Sequence, residues 1–193
     1  MKTTVIVGNR LDSPSKRIAW YGLADSALAN VGKPFFIPDF DDRFEAIIAP
    51  AVRISRLGKS VGAKFAQRYF SEVAPSIHFR ATNLREHLLQ EGLPADMAQS
   101  FDRSLIMGRF IDWNALCSMA PLRLVKNGET VAEWSPSDFS ISADEALEMT
   151  SAYNTVKTGD LLIPGLSKPV DVTPGDRIEL TLAEERLLLV AIK

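Results

Sequence analysis

Residues 122–134 have the sequence LRLVKNGETVAEW, and this stretch decides the fold class. Asn127-Gly128 lies between two runs rich in β-branched and alternating apolar residues. An Asn-Gly pair in that setting favours a two-residue turn with positive φ at both positions. The stretch therefore predicts an antiparallel β-hairpin.

The residues that follow the hairpin predict one helix and then more strands. Ser142 and Glu145 have the spacing of a capping box, which predicts a helix from there to about Tyr153. Two apolar runs near the C-terminus, 177–182 and 186–192, predict a final pair of strands. The expected fold class is α+β, a mostly antiparallel β-sandwich roll with a few short peripheral helices.

The N-terminal half has weaker signals, and we expect it to contain strands, short helices and a long loop. Thr3 to Val7 predicts a strand, and residues 12–30 have no clear period and are predicted to be mostly loop. Residues 44–54 predict a strand in which Pro50 marks an edge or a bulge. Short helices are expected over 64–70, over 84–89 before Gly92, and from Pro94 to about Phe101.

Composition restricts the classes of function. A chain of 193 residues with a net charge of −2 is expected to form one domain, 1–193, with residues 1–40 as an N-terminal strand and loop segment. Interspersed charges argue against a nucleic-acid partner. A single Cys117, no export signal and no long apolar run favour a cytoplasmic protein without a membrane partner.

Three groups of residues are candidates for a site. Gly58-Lys59-Ser60 is the tail of a phosphate loop without its first glycine, so we interpret it as a turn. The carboxylates of Asp39, Asp41, Asp42 and Glu45 form an acidic cluster that matches no calcium loop. His78, Arg80, Arg85 and His87 either form a positive pocket for a small carboxylate or lie on a solvated basic face.

Taken in order, several motifs across the whole chain resemble the fumarylacetoacetate hydrolase family, and the chain is identified as a degenerate member. The resemblance implies a rolled, mostly antiparallel β-fold, a homodimer, and magnesium or manganese held by a Glu-x-Glu pair and a later aspartate. In a strand, side chains two residues apart share a face, so such a pair can reach one cation. The landmarks are residues 33–40 (KPFFIPDF), Gly58-Lys59, Gly92-Leu93-Pro94, Ser100-Phe101-Asp102, residues 126–129 (KNGE), Gly159-Asp160-Leu161-Leu162 and Gly175-Asp176.

The same resemblance places other residue types where the family has its functional groups. The metal ligands fall on Ile47, Ala49 and His78, with Glu45 as a possible relic, and no metal cofactor is therefore expected. The remaining family positions are the active-site lysine, a C-terminal threonine and an early histidine, which fall on Gln99, on Leu166, and on Ser13 or Pro14.

Three hypotheses about function follow from these positions. The first is a non-catalytic protein, a pseudoenzyme that binds a small organic acid near His78 and Arg80 or partners an active relative. The second is an active hydrolase, decarboxylase or isomerase of 2-oxo acids with a rebuilt site, in which His78 is the base and Arg80 binds the substrate carboxylate. The third is a metal enzyme whose ligands come from Asp39, Asp41, Asp42 or Glu45.

Overall fold

The computed structural model describes residues 1–8, 10–12 and 17–193 and has an α+β fold. Ser13 and Pro14, the expected places of the family's early histidine, lie outside the described residues. In the part of the chain that is described, no helix is long and apolar enough to cross a membrane. The fold class expected from the sequence is confirmed, because strands dominate and the helices are short.

Fifteen strands and three α-helices make up the described regular structure, together with short 3-10 turns. The helices are α1 (Thr82–Gln90), α2 (Trp113–Met119) and α3 (Ala143–Tyr153). The strands are β1 (Thr3–Val7), β2 (Ala19–Leu23), β3 (Leu28–Asn30), β4 (Phe44–Ile48), β5 (Ala51–Ile54), β6 (Phe70–Ala74), β7 (Ser76–Ala81), β8 (Leu105–Met107), β9 (Ile111–Asp112), β10 (Leu122–Lys126), β11 (Glu129–Trp134), β12 (Leu161–Ile163), β13 (Val170–Val172), β14 (Arg177–Leu182) and β15 (Glu185–Ala191).

These strands form three sheets whose order positions the site. The six-stranded sheet has the order β2-β1-β12-β5-β6-β9, and the five-stranded sheet has the order β13-β4-β7-β8-β3. The remaining four strands follow the order β11-β10-β14-β15. Most neighbours are antiparallel, whereas β1 with β12 and β3 with β8 are parallel, so the sheets are mixed.

The strongest local predictions are confirmed. Asn127 and Gly128 connect β10 to β11, and both have positive φ, 51° and 92°. Ser142 and Glu145 cap each other at the start of α3, as a capping box requires. Gly92 follows α1 with a φ of 72°, where a residue without a Cβ ends the helix at low cost.

Pro50 differs from its predicted role, because it marks neither an edge nor a bulge. It is buried between β4, which belongs to the five-stranded sheet, and β5, which belongs to the six-stranded sheet. A proline cannot donate to a β-ladder, so the pairing of β4 ends before it and β5 pairs with a different sheet. The proline therefore lies at a corner where the chain passes between two sheets.

Several other expectations about local structure are wrong. Residues 12–30 were expected to be mostly loop, but they contain β2 and β3, which pair with β1 and β8. Helix α2 carried no recognised signal, and the helices expected over 64–70 and 94–101 are 3-10 turns at Ala63–Arg68 and Asp96–Ala98. Strands β2 and β3 form because they pair with β1 and β8, and such tertiary pairing overrides weak local preference.

The buried apolar residues form two clusters. The large cluster joins the hairpin, α3 and most of the sheets. The small cluster lies between the five- and six-stranded sheets and includes Val5, Ile47, Ala49, Leu105 and Ile163. The small cluster matters for function because it occupies positions that the resemblance assigns to metal ligands.

Substituting the hairpin glycine tests the positive φ of this turn. Gly128→Ala is expected to lower the free energy of unfolding by about 1 kcal/mol, because alanine disfavours the left-handed region. Gly22→Ala is the matched control, since both sites have room for a Cβ but Gly22 lacks a positive φ. Urea unfolding of both variants measures the difference, and equal stabilities would contradict it.

Candidate functional site

The candidate site is built on the antiparallel pairing of β4 with β7. Glu45 lies directly opposite Arg80, and Ile47 lies directly opposite His78. Because alternate side chains of a strand share a face, these four side chains lie on the same side of the sheet. The pairing therefore places one ion pair beside one apolar and one imidazole side chain.

Glu45 and Arg80 form a nearly buried ion pair. Arg80 Nε donates to Glu45 Oε1 at 2.7 Å, and Arg80 Nη2 contacts the same carboxylate. The exposed fractions of the two side chains are 10% for Glu45 and 11% for Arg80. The carboxylate is therefore committed to a guanidinium, and the guanidinium is held in a fixed orientation.

Ile47 and Ala49 lie in dry surroundings. Their exposed fractions are 1% and 0%, and both belong to the small apolar cluster. Neither side chain carries an atom that can bind a metal, and both pack against the other apolar side chains of that cluster. This part of the predicted family site is filled with hydrocarbon.

His78 is fully buried, and both of its ring nitrogens have partners. Nε2 lies 2.7 Å from the Gln99 carbonyl oxygen, which only accepts, so Nε2 carries the hydrogen. Nδ1 then accepts from the Tyr21 hydroxyl at 3.3 Å. Burial, assisted by the nearby charge of Arg80, lowers the pKa of His78 to about 3 against the opposing effect of its hydrogen bond to Gln99. The imidazole is therefore neutral at physiological pH.

Tyr21 is a polar residue of the site that the sequence did not reveal. It lies on β2 opposite Val5, and burial raises the pKa of its phenol well above the ordinary value. Arg80 and Arg85 oppose that rise, which places the phenol within the electrostatic influence of both guanidinium groups. No periodic or motif signal in residues 17–23 points to this side chain.

The acidic cluster does not converge on one point. Asp41 accepts hydrogen bonds from the backbone of Arg43 and Leu84, so it ties the chain to the first turn of α1. Asp39 and Asp42 are exposed. Across residues 1–8, 10–12 and 17–193, no three His, Cys, Asp or Glu side chains form a group that could hold a metal ion.

A pocket of about 340 Å³ opens beside the ion pair. Arg80 and Arg85 both line it, whereas His78 does not. The first β-strand, the loop after it and the loop after β12 supply most of the wall. The lining residues are Ile6, Val7, Gly8, Arg10, Asp12, Arg80, Arg85, Leu166, Ser167, Lys168 and Pro169.

Arg85 has no carboxylate partner in the described part of the chain. Its Nε is buried without a hydrogen-bond partner among the described residues, and no ion pair between described residues includes it. Burial lowers the pKa of its guanidinium, and the charge of Arg80 acts in the same direction. Arg85 therefore presents an unneutralised cation at the pocket.

The pocket has an excess of positive charge. Arg10 pairs with Asp12 at 3.0 Å, and Lys168 Nζ lies 3.9 Å from the same carboxylate. With the Glu45–Arg80 pair and Arg85 included, four cations face two carboxylates. The net charge of about +2 matches a small dianion.

The loop of residues 164–169 is fixed by polar and steric contacts. Ser167 N donates to the Ile48 carbonyl at 3.1 Å, and Ile48 N donates to Ser167 Oγ at 2.9 Å. Trp134 Nε1 donates to the Gly165 carbonyl at 3.2 Å, and a Cβ on Gly165 would lie 2.4 Å from the Phe139 ring. Leu166 is thereby held in the pocket wall.

The fold and the site define the class of protein to which the chain belongs. Residues 7–187 match the family model described as Fumarylacetoacetate (FAA) hydrolase C-terminal. The chain therefore belongs to the fumarylacetoacetate hydrolase family, as its sequence motifs indicated.

Relatives of this chain are found both by sequence similarity and by similarity of structure. The chain is 27% identical over 157 residues to the rat protein named oxaloacetate tautomerase FAHD1, mitochondrial, with 80% of this chain and 71% of the relative covered. A fumarylacetoacetate hydrolase family protein from Yersinia pestis CO92 superposes with a TM-score of 0.89 at 20% identity, covering 100% of this chain and 93% of that one. A fumarylpyruvate hydrolase from Pseudomonas aeruginosa has a TM-score of 0.86 at 16% identity, with 100% and 89% covered. These structural likenesses show the fold alone.

The expectation that no metal cofactor is involved is contradicted by one of these structures. The fumarylpyruvate hydrolase from Pseudomonas aeruginosa was solved in complex with Mn²⁺ and pyruvate, so a protein of this fold does hold a metal. The described residues at the predicted ligand positions of this chain do not fit such an ion. Glu45 is paired with Arg80, and Ile47 is apolar. Any test of this chain for activity should therefore be made both with and without Mn²⁺.

Removing Glu45 tests the importance of its ion pair with Arg80. Glu45→Ala is expected to lower the free energy of unfolding by about 3 kcal/mol or more, because a nearly buried guanidinium loses its counter-charge. Glu185→Ala, which breaks the exposed pair with Arg109, should cost less than about 1 kcal/mol. Chemical denaturation of both variants measures the contrast, and similar losses would show that the buried pair is not special.

The neutral His78 predicts an acid-sensitive stability. Its folded-state pKa of about 3 lies below the ordinary 6.5, so the unfolded chain binds the extra proton between these values. Stability is full above about pH 6.5 and falls by up to about 1.4 kcal/mol per pH unit as the pH drops through this window. Denaturation between pH 7 and about pH 5, above the main carboxylate range, measures that slope.

The control for this pH dependence is the other histidine. His78→Gln should flatten the slope whatever its effect on absolute stability, whereas the exposed His87→Gln should leave the slope as it is in the parent chain. An unchanged slope in His78→Gln would contradict the prediction.

Proposed function

We propose that this chain binds a small organic dianion, of the 2-oxo dicarboxylate type, in the pocket beside Glu45 and Arg80, and that it is a non-catalytic member of its family. The observation that carries the proposal is Arg85, whose buried Nε lacks a partner among the described residues and whose charge is unneutralised. A buried N–H donor without a partner is costly, and an anionic ligand that accepts from it would reduce that cost.

The shape and chemistry of the pocket support this class of ligand. Its volume of about 340 Å³ lies in the range of small-molecule sites. Arg80 and Arg85 offer the planar donor forks that match carboxylates, and Ile6 and Leu166 offer an apolar wall for a short carbon chain. The names of the relatives support the same class, because oxaloacetate and pyruvate are both 2-oxo acids.

The surroundings of the pocket support a binding role without turnover. Both nitrogens of His78 are engaged by scaffold partners, and its low pKa makes it a weak base. Gln99 stands where the resemblance places a lysine, and its backbone carbonyl orients His78. Asp12, the carboxylate among the described lining residues, is paired with Arg10.

One observation favours the alternative of an active enzyme with a rebuilt site. The Tyr21 hydroxyl donates to His78 Nδ1 close to Arg80 and Arg85, so a phenol and an imidazole adjoin a carboxylate-binding region. Keto–enol tautomerisation of a 2-oxo acid needs only proton transfer. The raised pKa of Tyr21 and the lowered pKa of His78 both keep the proton on the phenol, which ranks this alternative second.

Calorimetric titration tests the binding proposal. Malonate, a stable dicarboxylate, is expected to bind, and acetate to bind more weakly because it carries one charge. Arg85→Gln should weaken malonate binding about tenfold or more, since a charge-assisted hydrogen bond is lost. Arg123→Gln removes an exposed guanidinium paired with Glu133 and should leave affinity unchanged. The binding proposal would be refuted if malonate did not bind, or if both variants lost the same malonate affinity.

A turnover assay separates the proposal from its alternative. The enol form of oxaloacetate is followed by its absorbance with and without the chain, in the presence and absence of Mn²⁺. The proposal expects the uncatalysed rate in all cases. Acceleration that Tyr21→Phe abolishes while malonate affinity persists would establish the active enzyme in its place.

A further inference from the structure

The pocket lined by Arg80 and Arg85 is called the carboxylate pocket below. A second basic pocket lies away from it, at the turn between β5 and the 3-10 turn Ala63–Arg68. Its volume is about 390 Å³, and it shares no lining residue with the first pocket. The wall combines three cations, two aromatic rings and a backbone turn. The lining residues are Arg56, Lys59, Ser60, Val61, Gly62, Phe65, Arg68 and Tyr69.

The cations of this pocket have no carboxylate partner. Arg56, Lys59 and Arg68 are exposed, and none takes part in an ion pair between described residues. Lys64 adds a fourth positive charge beside them, with its Nζ 4.9 Å from the centre of the Phe65 ring. In the rest of the described chain most arginines have a carboxylate partner, so this concentration of unpaired charge is local.

Two carboxylates lie close to this pocket. Glu148 Oε1 accepts from Ala63 N at 3.2 Å, and Asp144 accepts from Gln67 Nε2 at 2.8 Å. Both acids belong to α3 and are engaged with the 3-10 turn. Three to four cations beside two carboxylates leave a net positive charge of about one to two.

The backbone of the turn does not supply the anion contacts. Gly58 N donates to the Val156 carbonyl, and Ser60 N donates to the Ser151 carbonyl, both at 2.9 Å. Val61 N donates to Ser151 Oγ at 2.9 Å. The Gly58-Lys59-Ser60 sequence is a turn, as predicted, and it cannot cradle a phosphate as a phosphate loop does. Any anion here is held by side chains.

Aromatic surface distinguishes this pocket from a simple basic face. Phe65 is 42% exposed, and Arg68 Cζ lies 5.2 Å from the centre of its ring. Tyr69 contributes a second, half-buried ring to the same wall. Stacking of Arg68 on Phe65 fixes the guanidinium in orientation, which favours paired hydrogen bonds to a tetrahedral oxyanion.

We propose that the pocket formed by Arg56, Lys59, Phe65, Arg68 and Tyr69 binds an organic phosphate, with its phosphate groups on the cations and its carbon body against the rings. Two or more phosphate charges match the three to four cations better than one carboxylate does. The phosphate can belong to a soluble nucleotide or to a phospholipid headgroup. The site is independent of the carboxylate pocket and of the proposed function.

Titration of the full chain with ATP and with pyrophosphate tests the site. Both are expected to bind, with an affinity that falls as salt rises because the contacts are ionic. Arg56→Gln and Arg68→Gln should each weaken ATP binding about fivefold or more. Phe65→Ala should weaken ATP more than pyrophosphate, since only ATP has a base to place against a ring. Arg123→Gln should leave ATP affinity unchanged, and so should Arg85→Gln, which alters the other pocket.

A vesicle arm distinguishes the two sources of phosphate. Co-sedimentation with phosphatidic acid in phosphatidylcholine, lost in Arg56→Gln and Arg68→Gln, would support the site with a lipid as its source even if ATP fails to bind. Failure of ATP, pyrophosphate and these vesicles alike would overturn the proposal. If Arg123→Gln weakened ATP binding equally, the attraction would be a general effect of surface charge, and the proposal would be overturned. Loss of ATP binding in Arg85→Gln would also overturn it, because ATP would then bind in the carboxylate pocket.

Discussion

The ion pair between Glu45 and Arg80 is the interaction on which the site depends. It lies where β4 meets β7, with the small apolar cluster on one side and the carboxylate pocket on the other. A one-residue slip of this pairing would turn one of the two charges to the opposite face of the sheet, towards the large apolar cluster, and would separate it from its partner. Because an unpaired buried charge is costly, the pair selects the register that brings Ile47 opposite His78.

That register separates a dry half of the site from a polar half. At the C-terminal end of β4 and just beyond it, Ile47 and Ala49 pack into the small apolar cluster, and His78 is hydrogen-bonded to Tyr21 and Gln99. At the start of the strand, Arg80 is neutralised by Glu45 and stands next to Arg85, which has no such partner among the described residues. Positive charge is therefore concentrated at the pocket, whereas the groups behind it are apolar or hydrogen-bonded within the protein.

Local sequence signals predicted the parts of the fold that are stabilised locally. The Asn127-Gly128 turn and the Ser142 cap depend on neighbouring residues, so their motifs sufficed. Strand β2 was missed because its stability comes from pairing with β1, which no pattern within residues 17–23 expresses. Tyr21 was missed for the same reason, since its contact with His78 joins residues that are far apart in sequence.

The site shows a second limit of sequence reasoning, because the sequence does not say how deeply each side chain of a strand is buried. Strand alternation correctly places residues 78 and 80 on one face of β7, but it cannot say which of them reaches the pocket. Arg80 lies opposite Glu45 near the start of β4, where the pocket opens, and His78 lies two residues further in, opposite Ile47. The family resemblance pointed to β7 and left the roles of its residues open.

A pocket charged by arginines behaves differently from one charged by histidine or by a bound metal. Arginine stays protonated across the physiological range, so the attraction of Arg80 and Arg85 for an anion does not depend on pH near neutrality. His78, the one described histidine near the pocket, is neutral and turned inward, and it contributes packing and orientation in place of charge. The Mn²⁺ in the fumarylpyruvate hydrolase shows that the fold accommodates a divalent cation. In this chain fixed guanidinium groups supply positive charge beside β4 and β7, and that charge does not depend on any side chain there losing or gaining a proton.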